Sequence, residues 1–426
     1  MATAGMDAAM GYGFSGISGF SGISGFSDEQ ERFREEVRTL LADGPVRAAI
    51  ERLRAFDEPE PDVRPLYREL GRRGLLAPNW PTEYGGSGRG LVAAAIAAEE
   101  LVRAGVPDTL HVNTIQIVGL FILMAGTPRQ KAAHLPAMAR GERFASVLYT
   151  EPGCGSDLGS LSTAARRDAG GGWLLSGVKV FSMKTHLADL GLCAARTGAA
   201  GSRYDGISLF LVDLHAPGVR RTPISSIADE QFHRVELDGV RVPAGDLLGT
   251  ENGGWPLLTQ SLAVERTGLD YSLKAEQWLS AAVEILAPEV VNGALDGAAD
   301  GAIDRTLDGA LDGAVLEEIG RFGAAVSAGR LLTWQVITGL AQDRIDEPAA
   351  AMAKLYNSEL AQRIAMWTAA RLPGSGGDRR LPPRAAAMLE SAYREAPGVT
   401  IAGGTSDMML RIIGPALDRL AQEASP

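Results

Sequence analysis

Cysteine and histidine, the side chains that most often bind metals or catalyse hydrolysis, are scarce in this sequence. Only two cysteines, Cys154 and Cys193, and five histidines occur among its 426 residues. Their spacing forms no zinc-ligand pair, and two isolated cysteines do not make a disulfide framework. The sequence therefore predicts no metal site and a reducing, cytoplasmic location.

The sequence also lacks a basic stripe, a long apolar run and a secretion signal. Its 52 acidic residues outnumber the 41 basic ones, so the formal net charge is -11 and little is available to neutralise a phosphate backbone. The longest apolar run, near Ile117 to Ala125, is too short to span a bilayer, and the N-terminus has no apolar signal block. We therefore expect no nucleic-acid partner and no membrane association.

The sequence does contain enough apolar material for two or three domains, since 46% of its residues are hydrophobic. Residues 13–27 repeat glycine, serine and one apolar residue, so residues 1–27 are predicted to form a flexible tail. From Ser27 the pattern is that of capped amphipathic helices. Residues 28–143 are therefore predicted to form an N-terminal helical domain.

The hydrophobic periodicity changes twice after residue 143. Residues 144–250 contain short segments rich in Val, Leu, Ile and aromatics between turn residues, which predicts a middle antiparallel β domain. Residues 251–426 return to long helical patterns, interrupted by an Asp/Gly-rich insert at 292–314. The predicted fold class is α+β, mainly helical, with an N-terminal helical domain, a middle antiparallel β domain and a C-terminal helix bundle.

The stretch from Leu148 to Asp157, LYTEPGCGSD, carries the most specific functional signal. It places Thr150, two glycines and Ser156 before a set of strand-like segments, so amides and hydroxyls can approach a planar ligand. On local chemistry alone, a Pro-Gly turn is the favoured interpretation. Together with the SGVKVF run and the ADL that follow, however, this stretch resembles the flavin-binding signature of the acyl-CoA dehydrogenase family.

Further segments are similar to the same family and extend the resemblance from about residue 28 to 415. They are GTPRQKAAHLPAMARGE (126–142), GVRVPAGDLLGTENGGW (239–255) and IAGGTSDMML (401–410). The resemblance implies an FAD cofactor and an acyl thioester substrate, carried by coenzyme A or a carrier protein. It implies that a carboxylate takes the α proton while the β hydrogen leaves as hydride to flavin N5. It also implies an electron-transfer flavoprotein or other acceptor, and a homo-oligomer, tetramer or dimer.

Residue by residue, the resemblance assigns cofactor contacts to three segments. Thr150 would contact the flavin pyrimidine edge, and Gly155 with Ser156 would approach the cofactor or the thioester arm. The family usually has a threonine near flavin N5 where this chain has Met183, so either Ser182 replaces its hydroxyl through a shifted backbone or the flavin lacks that hydrogen bond. For any single hydroxyl, a turn or cap role is the simpler alternative. The predicted FAD-binding residues are Leu148, Tyr149, Thr150, Gly155, Ser156, Phe181, Ser182, Met183, Thr405 and Asp407.

The resemblance also suggests where the catalytic base lies. Many family members have a glutamate immediately before the GTS of the last segment, but this chain has Gly403 there. The branch resembling isovaleryl-CoA dehydrogenase carries the glutamate in an ER pair, which matches Glu265 and Arg266. Glu265 is therefore the predicted base, the Gly403 amide the donor to the thioester carbonyl, and Arg266, like Ser156, a contact of the substrate arm. The alternative is that Glu265 and Arg266 form a solvated helix pair.

Two other functions remain open from the sequence. A flavin-dependent oxygenase on the same fold needs no carboxylate base, and Gly403 and Met183 permit it. A non-catalytic subunit of a heteromeric acyl-CoA dehydrogenase is the other, because the insert lies where the family's adenine contacts are expected.

Overall fold

The computed structural model describes residues 26–53, 60–198, 203–265, 267–287, 313–372 and 381–423. Residues 1–25 of the predicted tail and residues 288–312, which include most of the predicted Asp/Gly insert, lie outside these ranges. So does Arg266, the predicted substrate-arm contact.

Helices form the first part of the chain. Ser27 caps the first of them as expected: its hydroxyl accepts from the Gln30 amide, and the Gln30 side chain accepts from the Ser27 amide. A π-helix follows a short α-helical turn. A π-helical turn often lies beside a functional site. The elements are α1 (Asp28–Ala42), α2 (Gly44–Leu53), α3 (Arg64–Arg72), α4 (Gly90–Arg103), α5 (Thr109–His111), the π-helix (Val112–Gly119), α6 (Leu120–Ala125) and α7 (Pro128–Ala139).

A β-sheet follows in the middle of the chain. Its strands are β1 (Ala145–Leu148), β2 (Ala164–Arg167), β3 (Trp173–Met183), β4 (Leu190–Arg196), β5 (Ile207–Asp213), β6 (Val219–Ile224), β7 (Phe232–Val242) and β8 (Leu247–Leu248). They lie in the order β6-β7-β3-β2-β4-β5-β8, and β1 also pairs with β4.

The expectation of a purely antiparallel sheet is wrong at β4. Strand β1 runs parallel to β4, with Leu148 opposite Cys193, and β2 meets β4 in parallel at one residue pair. A parallel pair needs a long crossover, and here β2 and β3 lie in the connection between β1 and β4. Strand β4, LGLCAAR, was not predicted, because it is buried along nearly its whole length and therefore shows no apolar-polar alternation.

Long helices return after the sheet and form a bundle. They are α8 (Gly254–Glu265), α9 (Leu269–Leu286), α10 (Gly313–Leu340), α11 (Glu347–Ala369), α12 (Pro383–Val399) and α13 (Ser406–Glu423). The helical, β and helical order of the predicted fold class is thus confirmed. The domain bounds at 143/144 and 250/251 stay a prediction.

One helix expected to be continuous is divided in two. The pattern from 258 to 286 predicts a single helix, but α8 ends at Glu265 and α9 begins at Leu269. Gly268 between them has φ +78°, and a Cβ there would lie 3.0 Å from the Ala353 backbone. Only glycine takes this conformation readily. The same residue therefore ends the helical path and allows the backbone to pack closely against α11.

A buried ion-pair network joins the first helices to the bundle. The fully buried Glu99 carboxylate on α4 accepts from Arg34 at 3.0 Å, from Arg330 at 3.0 Å and from the Trp334 indole at 2.8 Å. Burial raises the pKa of Glu99, but Arg103 and Arg330 outweigh it and lower that pKa to about 2. The network therefore fixes α4 against α1 and α10.

The structure also bears on membrane insertion. None of the helices in the described ranges is both long enough and apolar enough to cross a bilayer.

Candidate functional site

The turn after β1 is closed by its own backbone. The Glu151 amide donates to the Cys154 carbonyl at 2.9 Å, and the Cys154 amide donates back at 3.1 Å. The Val180 amide of β3 donates to the Thr150 carbonyl at 2.9 Å. The turn that carries Thr150 is therefore tied directly to the strand that carries Phe181.

A buried ion pair lies beneath this turn. The Lys179 ammonium is 2.8 Å from the Glu151 carboxylate and also donates to the Tyr149 carbonyl at 3.0 Å. The same carboxylate accepts from the Ser162 amide and hydroxyl, each at 2.7 Å, and from the Thr163 amide at 2.9 Å. Burial raises the pKa of Glu151, but Lys179 and these hydrogen bonds outweigh burial and lower it to about 2.

The far end of β3 has an irregular backbone. The pairing with β7 shifts register between Lys179 and Ser182, and Phe181 in this bulge has φ +56°. A positive φ is rare for an aromatic residue and is retained mainly where the fold requires it. As a result the Phe181 ring is 59% exposed, while Ser182 is buried and its hydroxyl has no hydrogen-bond partner among the described residues.

A second turn, Ala402–Thr405, lies at the start of α13. Gly403 and Gly404 have φ of +65° and +108°. The Tyr271 hydroxyl donates to the Ala402 carbonyl at 2.9 Å, and the Lys354 ammonium donates to the Gly404 carbonyl at 2.7 Å. A Cβ on Gly403 would lie 3.0 Å from the Tyr271 hydroxyl, so this turn leaves little room for a side chain at position 403.

A cavity of about 50 Å³ opens beside Gly403, between the N-terminal helices and the bundle. Its walls combine apolar and polar side chains. The lining residues include Ala98, Asp108, Asp270, Tyr271, Lys354 and Gly403.

Asp270 is a carboxylate of this cavity whose ionised form is disfavoured. Burial, followed by the nearby Asp108 carboxylate, raises its pKa to about 6, although Lys274 and two backbone hydrogen bonds, from Tyr271 and Asp270 itself, oppose the shift. Burial therefore outweighs the partners of this carboxylate. The cavity is therefore polar and acidic at the first turn of α9.

Charged side chains connect this cavity to the end of β3. Lys184, which follows β3 directly, pairs with Glu60 and, at 3.0 Å, with Glu230. The Thr109 hydroxyl of α5 also donates to Glu230, one residue from the cavity wall at Asp108. Cavity and strand end are thus neighbours.

Comparison with known proteins gives matches along most of the chain. Models of the acyl-CoA dehydrogenase N-terminal, middle and C-terminal domains match residues 27–142, 146–240 and 252–417. The acyl-CoA dehydrogenase FadE29 of Mycobacterium tuberculosis is 33% identical over 84% of this chain and 88% of its own length.

This chain belongs to the acyl-CoA dehydrogenase family. It is therefore an oxidoreductase that acts on CH–CH bonds and belongs to a family of flavoproteins that dehydrogenate acyl thioesters. Among solved structures, the acyl-CoA dehydrogenase of Geobacillus kaustophilus superposes with a TM-score of 0.77 at 26% identity, covering 92% of this chain and 99% of that one. A chain of the ChsE4–ChsE5 complex from Mycobacterium tuberculosis gives 0.74 at 28% identity, covering 92% and 98%.

For this acyl-CoA dehydrogenase family member, Phe181 and Ser182 on β3 and Gly155 in the turn after β1 fit a flavin. The exposed Phe181 ring offers an aromatic face, and the unpartnered Ser182 hydroxyl lies where the backbone is shifted. Gly155 is exposed, has no positive φ, and a Cβ there would contact only Thr150 at 3.9 Å among the described residues. Neither the backbone conformation nor a described neighbour excludes a side chain at position 155, so the close approach of a ligand would account for glycine there.

Four other predicted FAD-binding residues have contacts within the protein or positions that limit how they could meet a flavin. The Leu148 side chain is fully buried in the core of the sheet, so a flavin could meet only its backbone. The Met183 carbonyl accepts from the Ser146 hydroxyl at 2.7 Å. Thr405 accepts from the Met408 amide at 3.2 Å, which is a helix-cap role, and Asp407 is exposed in the first turn of α13. Among described residues, no hydrogen bond or ion pair joins Thr405 or Asp407 to the β-sheet.

The predicted base is only partly located. Glu265 is the last residue of α8, but its side chain lies outside the described part of the structure. The sequence interpretation missed Asp270, Tyr271 and Lys354, although all three line the cavity. The Thr-Gly break before LDYS was a usable signal, since a glycine inside a helical pattern often marks a special backbone position.

Proposed function

We propose that this protein is an FAD-dependent acyl-thioester dehydrogenase that desaturates the α,β bond of an acyl-CoA or an acyl carrier protein thioester. The observation that carries the proposal is the cavity that reaches Gly403 at the start of α13 and lies beside the end of β3. This arrangement supports an acyl chain that enters between the helical units, with its reacting carbons next to the strand assigned to the flavin.

Each predicted residue has a distinct role in this proposal. Glu265, at the end of α8, takes the α proton, and the Gly403 amide donates to the thioester carbonyl, which lowers the cost of the developing charge. Arg266 binds the pantetheine arm or its phosphate. The cofactor FAD is held by residues of the turn after β1, of the end of β3 and of the start of α13. They are Leu148, Tyr149, Thr150, Gly155, Ser156, Phe181, Ser182, Met183, Thr405 and Asp407. FAD, when bound, would supply the acceptor for the β hydrogen, which leaves as hydride.

We also propose a homo-oligomer, a tetramer or dimer, that passes its electrons to an electron-transfer flavoprotein or another acceptor in the cytoplasm. Exposed apolar side chains on the bundle support an assembly, because large apolar groups on a surface often mark an interface. They include Leu331, Met352, Met366 and Leu410. The similarity to a chain of the ChsE4–ChsE5 complex supports a second candidate, a heteromeric assembly in which this chain is a non-catalytic subunit.

Anaerobic mixing of the purified protein with a panel of acyl-CoA and acyl carrier protein thioesters tests the proposal. We expect the oxidised flavin to bleach and the product to lose two hydrogens. Glu265→Gln should lower kcat by about 10²- to 10⁴-fold, as loss of a general base does. Glu284→Gln, an exposed glutamate on α9, is the matched control and should leave kcat unchanged.

Three outcomes contradict the proposal. If Glu265→Gln desaturates at the wild-type rate, Glu265 is not the base. Product that gains oxygen supports the flavin oxygenase instead. Protein that purifies without flavin and binds it only with a related chain supports the non-catalytic subunit.

A further inference from the structure

We propose that Tyr271 and Lys354 are positioning residues that set the orientation of the peptides around Gly403. The inference rests on the proposed function, in which the Gly403 amide donates to the thioester carbonyl. It adds that this amide is not oriented by its own turn alone, because two side chains from other helices of the bundle hold the neighbouring carbonyls.

Two donors act on the two sides of Gly403. The Tyr271 hydroxyl donates to the Ala402 carbonyl at 2.9 Å. The Lys354 ammonium donates to the Gly404 carbonyl at 2.7 Å and to the Val399 carbonyl at 3.4 Å. Both side chains are buried and line the cavity, and the ammonium lies 5.0 Å from the centre of the Tyr271 ring. The donors therefore support each other and face the space assigned to the acyl group.

The hydrogen bond to Ala402 determines the direction of the Gly403 amide. In a trans peptide the C=O and N–H point in opposite directions, so a donor that fixes the Ala402 oxygen also fixes the Gly403 N–H. Gly403 and Gly404 both have positive φ, and glycine changes between positive and negative φ at little cost. Without the Tyr271 hydrogen bond this peptide can turn over, which changes the direction of the Gly403 N–H; without the Lys354 hydrogen bond the Gly404 peptide can do the same.

Tyr271→Phe tests this role because it keeps the ring and removes only the hydroxyl. Tyr356→Phe is a matched control, since the Tyr356 hydroxyl also donates to a backbone carbonyl, that of Ala325 at 3.2 Å, but Tyr356 does not line the cavity. Lys354→Met is a second variant that keeps the length of the side chain and removes the other donor.

The first measurement separates kcat from KM. We expect Tyr271→Phe to lower kcat about tenfold, less than the 10²- to 10³-fold loss that follows direct removal of an oxyanion donor. KM should change by less than about twofold, because polarisation of the carbonyl matters mainly in the transition state. Tyr356→Phe should have neither effect.

The second measurement does not depend on turnover. The probe is 2,2-dimethylbutanoyl-CoA with ¹³C at the thioester carbonyl; it has no α hydrogen and so is not desaturated. In wild-type protein its infrared carbonyl band should lie below its position in water. In Tyr271→Phe and Lys354→Met the band should move back upward, whereas in Tyr356→Phe it should stay at the wild-type position.

The results distinguish the two proposals. If wild type forms no enoyl product, the proposed function fails, and the infrared band still reports whether this turn acts on a bound thioester. If wild type is active but Tyr271→Phe has the wild-type kcat and band position, the positioning role is wrong. An equal loss in Tyr356→Phe also overturns it. If Lys354→Met does not fold, Tyr271→Phe still decides.

Discussion

The turn after β1 and the cavity beside α9 each contain a buried carboxylate, but the pKa values of the two carboxylates are shifted in opposite directions. Glu151 has a lysine and three hydrogen-bond donors from Ser162 and Thr163, and its pKa is lowered to about 2. Asp270 is desolvated beside another carboxylate, that of Asp108, and its pKa is raised to about 6. A buried carboxylate whose partners outweigh its burial stabilises the fold, whereas one whose burial outweighs its partners, at a cavity wall, costs stability and is a candidate for ligand interaction.

The largest expected effect on stability comes from removing Lys179, the ion-pair partner of Glu151. Lys179→Met leaves Glu151 buried without its cation, which should cost roughly 3–5 kcal/mol of unfolding free energy. Because the pKa of Glu151 is lowered from 4.5 to about 2, its stabilisation is fully present above pH 4.5 and is lost as the pH falls through 2. The gap between variant and wild type should therefore be widest above pH 4.5 and narrow towards pH 2.

Thermal unfolding of the protein at several pH values measures this gap. Arg140→Met is the control, since the side chains of Arg140 and its partner Glu142 are each 51% exposed, and an exposed pair contributes only about 0–1 kcal/mol. Flavin affinity should fall with Lys179→Met and not with Arg140→Met. Equal destabilisation by both variants would remove the distinction between the turn and an ordinary surface pair.

Asp270→Asn should have a smaller effect of opposite sign. The folded-state pKa of Asp270 is about 6 against a usual 3.8, so ionisation destabilises the native protein as the pH rises from 3.8 through 6. The variant should be more stable than wild type above pH 6 by roughly 2–3 kcal/mol, at about 1.4 kcal/mol per pKa unit, and equal to it below pH 3.8.

The pH dependence of the unfolding temperature checks the sign of the stability change in Asp270→Asn. Asp418→Asn, at an exposed position on α13, should show no such crossover. If Asp270→Asn is less stable than wild type at pH 7, Asp270 is a satisfied structural carboxylate like Glu151, and the comparison fails.

The smallest effect on stability is expected at Gly403. Alanine there must adopt φ +65° and places its Cβ 3.0 Å from the Tyr271 hydroxyl, so Gly403→Ala should cost about 1–2 kcal/mol. Gly414→Ala, inside α13 with open space around it, should be neutral or slightly stabilising because alanine favours helix. Calorimetry of the two variants measures the difference, and equal stabilities would show that the turn tolerates a side chain.

The order of helical, β and helical regions could be predicted because each type of element keeps its own hydrophobic period. The turn at 150–156, which is predicted to bind flavin, could be located because its contiguous residues resemble the family's signature. The break at Gly268 could not, since it depends on the Ala353 backbone of a helix far along the chain. Likewise Lys354 lies within an ordinary helical pattern, and only the folded bundle brings its ammonium to Gly404.

Strand β4 and the parallel pairing of β1 show the same limit in the sheet. A strand buried along both faces has no alternation to detect, and its direction relative to a neighbour is decided by the connection between them. The family resemblance therefore points to the turn after β1 as a ligand contact, while the walls of the cavity come from tertiary contacts.

The Glu99 network has a consequence for how substrate preference can change. Ala98, one residue from Glu99, lines the cavity, and Arg34, Arg330 and Trp334 bind that carboxylate from helices on two sides. A hinge that widened this wall would have to break the ion pairs of a fully buried carboxylate. We therefore expect acyl groups of a new size to be accommodated by exchanging individual wall side chains, with the scaffold around them kept rigid.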